Sequence, residues 1–231
     1  MTIAKTLDLV RERHAEFVAG ELPRFVSPAP SRILAVTGKG QPGGPEFHAD
    51  VAALKATALK VRAARRKGGR DFKLPPLEAL WWAPRRAGSA WSWKAFLRVP
   101  AFVTERDVKA ATDLTVHRGK GAADKIQLEN LEEGDCVQAL HRGPQATEHE
   151  TIARLEDAAR AEGRSLAPPH HEIYLSDPDR TPPEELRTIV RHPLAFPVLG
   201  GRASAEHDRT PVSIRQRRLG AEPQHRGREL R

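Results

Sequence analysis

The sequence predicts an α+β fold: a duplicated β-α-β-β module forming an antiparallel sheet, with two long helices on one face and a ligand groove on the other. Three observations predict it. Helical periodicity runs through two long stretches, residues 46–66 and 147–162. Each follows a strand-like run and a turn rich in Gly or Pro, A-V-T-G-K-G-Q-P in the first half and A-L-H-R-G-P in the second. Each is then followed by segments with the period-2 alternation of half-buried strands. The halves, about residues 31–115 and 125–194, therefore read as an internal repeat.

Taken in order, residues 6–19 carry a short apolar stripe of Leu7, Val10 and Phe17 and close on Gly20, so they read as a helix. Residues 23–30, bounded by prolines, read as a linker, which makes 1–30 an N-terminal helix and linker. Residues 31–37 read as a strand. Phe47, Val51, Leu54, Ala58 and Val61 form the buried stripe of the first long helix. Arg65, Arg66 and Lys67 suit its C-terminal dipole, and Gly68 and Gly69 stop it. Residues 77–82 and 91–99 read as a hairpin. Residues 104–114 read as a helix capped by Thr104, with Asp107 in its first turn. Residues 125–131 and 135–142 read as a second strand pair, turning at Glu133 and Gly134. Thr147 and Glu150 have capping-box spacing at the start of the second long helix. Residues 181–186 read as a helical turn and 187–192 as a last strand.

Composition narrows the class. The chain has 231 residues, 39% hydrophobic and 29% charged, enough for a sizeable core. No apolar run approaches the roughly 20 residues of a membrane helix, and the N-terminus lacks a signal-peptide pattern. The single cysteine, Cys136, excludes an internal disulfide and fits a reducing cytoplasm. The net charge is +8, yet residues 195–231 hold eight Arg against four Asp or Glu, which is +4. Half of the excess thus sits in a basic tail without apolar periodicity, expected to be disordered. Nucleic acid is accordingly disfavoured as a partner, and a membrane is excluded.

The stretch P-P-H-H-E-I-Y-L-S-D-P, residues 168–178, is the focal strand. Alternation puts His170, Glu172 and Tyr174 on one face and His171, Ile173 and Leu175 on the other. With Ile173 and Leu175 assigned to the core, Glu172 and Tyr174 are expected to look out of the opposite face over a ligand. Trp81, Trp82, Trp91 and Trp93 form a dense aromatic cluster in a chain with 5% aromatics. Trp81 and Trp82 must point oppositely, while Trp91 and Trp93 share a face. Aromatic walls suit flat or cationic ligands.

The motifs P-P-L-E-A-L-W-W, W-S-W-K-A-F-L-R-V-P-A-F-V-T, E-G-D-C-V-Q-A-L-H-R-G-P, H-H-E-I-Y-L-S-D-P and V-R-H-P, in this order, resemble the GyrI-like small-molecule-binding proteins. The resemblance spans about residues 5–192. It implies a duplicated β-α-β-β module whose concave groove takes bulky, flat or cationic molecules. A branch similar to this chain hydrolyses cyclopropane-bearing, DNA-alkylating natural products. For that branch the resemblance implies ligand binding by Trp81, Trp82, Trp91 and Trp93, with Glu172 and Tyr174 at the catalytic site. The chain departs from the pattern at Lys55, Ala58 and Gln145, where relatives often carry Tyr.

Three functions follow as expectations. One is a small-molecule-binding protein for protection or sensing. Another is a hydrolase in which Glu172 activates water and Tyr174 stabilises the developing oxyanion. A third is a partner that blocks a DNA-handling enzyme such as gyrase. No metal or cofactor is expected. Adjacent strand histidines, His170 and His171, face opposite ways, and G-K-G-Q-P-G-G lacks the phosphate-loop spacing. Cys136 reads as a small buried hydrophobe.

Overall fold

A computed structural model describes residues 6–86, 89–116, 121–178 and 180–196. The proposed disorder of the tail falls almost wholly outside the described residues. In chain order the helices are α1 (Leu9–Glu12), α2 (His14–Phe17), α3 (Pro45–Lys67), α4 (Glu105–Val116) and α5 (Glu148–Ala161). The strands are β1 (Arg24–Val26), β2 (Ser31–Gly40), β3 (Leu77–Trp82), β4 (Trp91–Arg98), β5 (Gln127–Leu131), β6 (Cys136–Arg142), β7 (Ser165–Leu166), β8 (His170–Tyr174) and β9 (Arg187–Ala195). None of the described helices is long and apolar enough to cross a membrane.

The main sheet runs β1-β6-β9-β8-β3-β4-β2-β5, with β7 added to β9, and every ladder between these strands is antiparallel. The repeat is visible in that order. The first unit is β2-α3-β3-β4 and the second β6-α5-β8-β9. They meet back to back at the β8–β3 ladder, where Glu172 faces Ala79 and His170 faces Trp81. The α+β class, the antiparallel sheet and the duplicated module are therefore present.

The leading strands are exchanged between units. β5 was expected to pair with β6, but it pairs with β2, and β6 pairs with β1 and β9. Residues 27–30, within the expected linker, join β1 to β2, and residues 132–135 join β5 to β6. Six strand spacings of about 4.8 Å would separate each joined pair in a flat sheet. A four-residue link spans only about 18 Å. The sheet must therefore curl until its ends approach.

Register shows what covers each face. Residues directly opposite in a ladder point the same way. The face of Glu172 thus includes Val190, Ala139, Ala79, Ala95 and Val36. Both long helices pack on this face. Phe47, Val51, Leu54, Ala58 and Val61 of α3 lie against Leu34, Val36, Trp81, Trp93 and Ala95. Leu155 of α5 lies against Val137, Ala139 and Val190. Helix α3 begins on Pro45, whose missing N–H costs nothing at that position. Helix α4 is capped reciprocally: Thr104 N–H donates to Asp107 Oδ2 at 2.8 Å, and Asp107 N–H to Thr104 Oγ1 at 3.4 Å. The expected Thr147–Glu150 box does not form, because Thr147 Oγ1 donates instead to the Pro144 carbonyl at 2.9 Å.

The expectation of a groove on the face opposite the helices is corrected here. That face is the inside of the curl, and it is filled. Ile173 packs with Leu140, Ile189 and Phe17 of α2, so the N-terminal segment closes it. Ile173 does suit a core, but it is the inner core and not the helix-packed one. Glu172 and Tyr174 therefore share their face with α3 and α5.

Beside these apolar groups the inner face holds a sealed ion network. Arg98 clasps Glu78 with two bonds of 2.8 and 2.9 Å and also bonds Glu16. Arg191 donates to Glu133 at 2.9 Å, to Gln138 at 2.8 Å and to the Glu16 carbonyl at 2.6 Å. His171 sits between Glu133, at 2.6 Å, and Glu78, at 3.2 Å. Burial works against ionised Glu78 and Glu133, but the neighbouring cations outweigh it and hold both below the usual carboxylate range.

Candidate functional site

A pocket of about 480 Å³ opens on the helix-bearing face where the two units meet. One wall is Glu148, Ile152 and Glu156, a stripe at helical i, i+4 spacing on α5. Trp81 of β3 and Trp91 of β4 form the aromatic wall, and Leu166, Ala167 and Pro168 form another. His170, Glu172 and His192 line it from the sheet, and Pro42 and Gln145 line it from two connecting segments.

The structure separates the four tryptophans. Trp81 and Trp91 line the pocket. Trp93, 1% exposed, stands behind them in the core, its ring 5.9 Å from Trp81 and 5.5 Å from Phe47. It lies over Gly38, where an added Cβ would meet the indole at 2.4 Å, so β2 requires glycine there. Trp82 is on the other face of β3, packed with Ile33, Ala35, Leu80, Phe96 and Leu131. Trp93 and Trp82 are thus placed as packing residues, away from the pocket lining.

Glu172 is 2% exposed and almost saturated with donors. Its Oε1 accepts from Gln145 Nε2 at 2.9 Å and lies 3.2 Å from His170 Nε2. Its Oε2 accepts from the Tyr174 hydroxyl, which is itself bonded by Trp81 Nε1 at 3.4 Å. Burial pushes the Glu172 pKa up, but His170, then Tyr174 and Gln145, outweigh it and hold it below the ordinary value. Desolvation alone would raise it, and the donors around the carboxylate reverse that direction. Burial, reinforced by the charge of Glu172, drives the Tyr174 phenol well above its usual range. Its hydroxyl serves Glu172, and Tyr174 does not line the pocket. The expected contact of Tyr174 with a ligand oxygen is therefore replaced by orientation of the carboxylate.

Sequence reasoning missed three residues here. His170 Nε2 lies 3.3 Å from Glu148 Oε2 as well as 3.2 Å from Glu172. Its Nδ1 lies 2.9 Å from His192 Nε2. Burial opposes the His170 charge, but Glu148 and Glu172 prevail and raise its pKa to about 9. Burial, then the His170 charge, lowers His192 to about 4. Carboxylates only accept, so His170 donates from Nε2 toward them and from Nδ1 to neutral His192. Burial, then hydrogen bonding to His170 and the like charge of Glu172, act on Glu148, and the net shift is upward. Period-2 alternation carried a signal for His170. Glu148 and His192 carried none, because 24 and 20 residues separate them from Glu172 in the chain.

Donor atoms of Glu148, His170 and Glu172 lie within 4.8 Å of one another, close enough to surround a cation. Their lone pairs and protons are already engaged with each other, with Gln145, Tyr174 and His192. The trio is built as a proton-bearing cluster. Cys136 is fully buried and its thiol is pushed up to about 12 by burial and by Glu133, which leaves it unreactive.

A curled antiparallel sheet, two helices on one face and a pocket at the seam of a duplicated unit define a small-molecule-binding α+β domain. Residues 94–195 match the GyrI-like small molecule binding domain. A crystal structure of a hydrolase from Listeria innocua is 32% identical and superposes with a TM-score of 0.75 over 82% of this chain and 100% of that one. An uncharacterized conserved protein from Listeria innocua is also 32% identical, with a TM-score of 0.76 over the same shares. The chain belongs to the GyrI-like small molecule binding family. The EcmrR C-terminal domain shares the fold at 11% identity, with a TM-score of 0.51 over 75% of this chain and 97% of that one. No curated protein matches the chain.

Proposed function

We propose that the protein is a hydrolase that adds water to an electrophilic carbon of a flat, apolar small molecule. The strained cyclopropane conjugated to a carbonyl, implied by the family resemblance, is the fitting reactive group. The observation that carries this reading is Glu172: an ionised carboxylate, buried at the wall of an aromatic pocket and aimed by Tyr174, Gln145 and His170. Trp81 and Trp91 hold the ring system. Glu172 removes a proton from water as the oxygen attacks a cyclopropane carbon, and the ring bond's electrons move to the carbonyl oxygen. Tyr174 keeps the base oriented. The likeness to a Listeria innocua protein described as a hydrolase supports this reading.

Binding for sequestration or sensing is the second reading. It is favoured by the acidic stripe of Glu148 and Glu156 beside apolar walls, which suits cations without requiring turnover. One experiment separates the two. A spirocyclopropyl cyclohexadienone is incubated with the protein and the water adduct is followed by mass spectrometry. Glu172→Gln is expected to lower turnover by about 10²–10⁴, the usual weight of one general base. Quenching of tryptophan fluorescence by a neutral planar ligand should persist. Absence of turnover by the unaltered protein returns the function to binding.

A further inference from the structure

Water addition leaves the base protonated. Before the next turnover Glu172 must lose that proton, and its surroundings make this hard. Its side chain is 3% exposed, and the pocket that would admit water then holds product. Three groups already crowd its oxygens, Gln145, His170 and Tyr174. Tyr174 cannot pass the proton on, because its phenol already carries one that its raised pKa keeps in place, and Trp81 donates to its oxygen. Gln145 has no titratable group. His170 alone of the three leads elsewhere.

We propose that His170 is a proton relay that resets Glu172 by passing the proton to Glu148. One nitrogen, Nε2, faces both carboxylates, at 3.2 Å from Glu172 Oε1 and 3.3 Å from Glu148 Oε2. The imidazolium gives its Nε2 proton to Glu148 and takes the proton held by Glu172 at the same atom. No ring flip is needed, and Nδ1 stays on His192 at 2.9 Å throughout. Water's proton leaves Glu172, His170 ends as it began, and Glu148, whose side chain is 8% exposed at the pocket wall, releases the proton to solvent as the product leaves. The phenolate product takes its own proton from solvent after release. The direction is downhill, since Glu172 is held below and Glu148 above the ordinary carboxylate value. His192, from β9, is kept neutral and so fixes the ring without competing for the proton.

This inference rests on the hydrolase reading, and the test keeps the two apart. The protein is mixed with the spirocyclopropyl probe twice, once with enzyme in excess and once with probe in excess. Because His170 also helps to aim Glu172, His170→Gln should slow both, but steady-state turnover should fall at least about tenfold further than the first-turnover rate. Added imidazole should restore the steady state, as it does for a missing relay and does not for a structural defect. Glu148→Gln, which acts from α5 and leaves β8 intact, should show the same split. Carbon-13 NMR of the glutamate carboxyls needs no substrate, and His170→Gln should move the Glu172 titration upward. Equal loss of first and later turnovers without rescue, or an unmoved Glu172 titration, overturns the relay. A normal NMR response with no turnover by the unaltered protein overturns the hydrolase reading, and the relay's catalytic role with it.

Discussion

On one face of β8, His170 and Glu172 line a pocket, while one residue along the strand His171 is sealed between Glu133 and Glu78. The residue types are the same, His beside Glu, and the surroundings differ. On the inner face the carboxylates of Glu16, Glu78 and Glu133 meet the guanidiniums of Arg98 and Arg191 directly, and α2 shuts out water. On the helix-bearing face no guanidinium of the described residues is bonded to Glu172. Its charge is balanced by a titratable imidazolium and by neutral donors. Guanidiniums keep their protons near neutral pH and serve the inner network as fixed charges. At the pocket, the imidazole of His170 stands between two carboxylates and can give up and take a proton. The first fastens the curled sheet to its N-terminal cover, and the second is poised for proton transfer.

The largest expected effect lies on the inner face. Arg98→Met leaves Glu78 and Glu16 buried without their main cation, a loss of about 3–5 kcal/mol. A urea unfolding midpoint should fall accordingly. An unchanged midpoint would mean that the network is not a fastener, and the contrast between the faces would collapse.

The next effect sharpens the contrast across the sheet. Trp91→Ala should weaken a planar aromatic ligand by about 1–3 kcal/mol, the scale of one stacking wall, with little change in unfolding. Trp82→Ala should do the reverse, because its ring packs with Phe96 and Leu80 on the inner face. Fluorescence titration and thermal melts of both variants check this. Equal binding losses would show that the pocket assignment is wrong.

The smallest effect is the pH dependence contributed by the histidine pair. His170 is raised from 6.5 to about 9 by Glu148 of α5 and Glu172 of β8, so the folded state holds its proton more tightly. Its contribution is complete below 6.5 and is lost as pH rises through 9. His192 is lowered to about 4, so the unfolded state binds its proton more tightly. Its contribution is complete above 6.5 and is lost as pH falls through 4. Comparing the melting curves of the unaltered protein with those of His170→Gln from pH 4 to 10 should remove the alkaline limb and leave the acid limb. Persistence of the alkaline limb would assign it to another group.

Periodicity alone placed most elements. The stripe of α3, the β3 and β4 segments, the Thr104–Asp107 cap and the alternation of β8 all reside within windows of a few residues. They obey local geometry, and the sequence displays them. Alternation also put His170, Glu172 and Tyr174 on one face before any tertiary contact was known. The tertiary structure decided which way that face looks. Ile173 announces a core, but a curled sheet with α2 inside and helices outside has two cores, and a strand pattern cannot tell them apart. Nor could adjacency in sequence reveal that β5 leaves β6 for β2, since ladder partners are chosen by the whole sheet. Glu148 and His192 reached the site the same way, one carried in by α5 and the other by the β8–β9 ladder. The amino-acid pattern fixed the local periods and the chemistry on offer. Long-range pairing, whose loop-closure cost and burial gain are settled only when the chain is assembled, chose which of those groups meet.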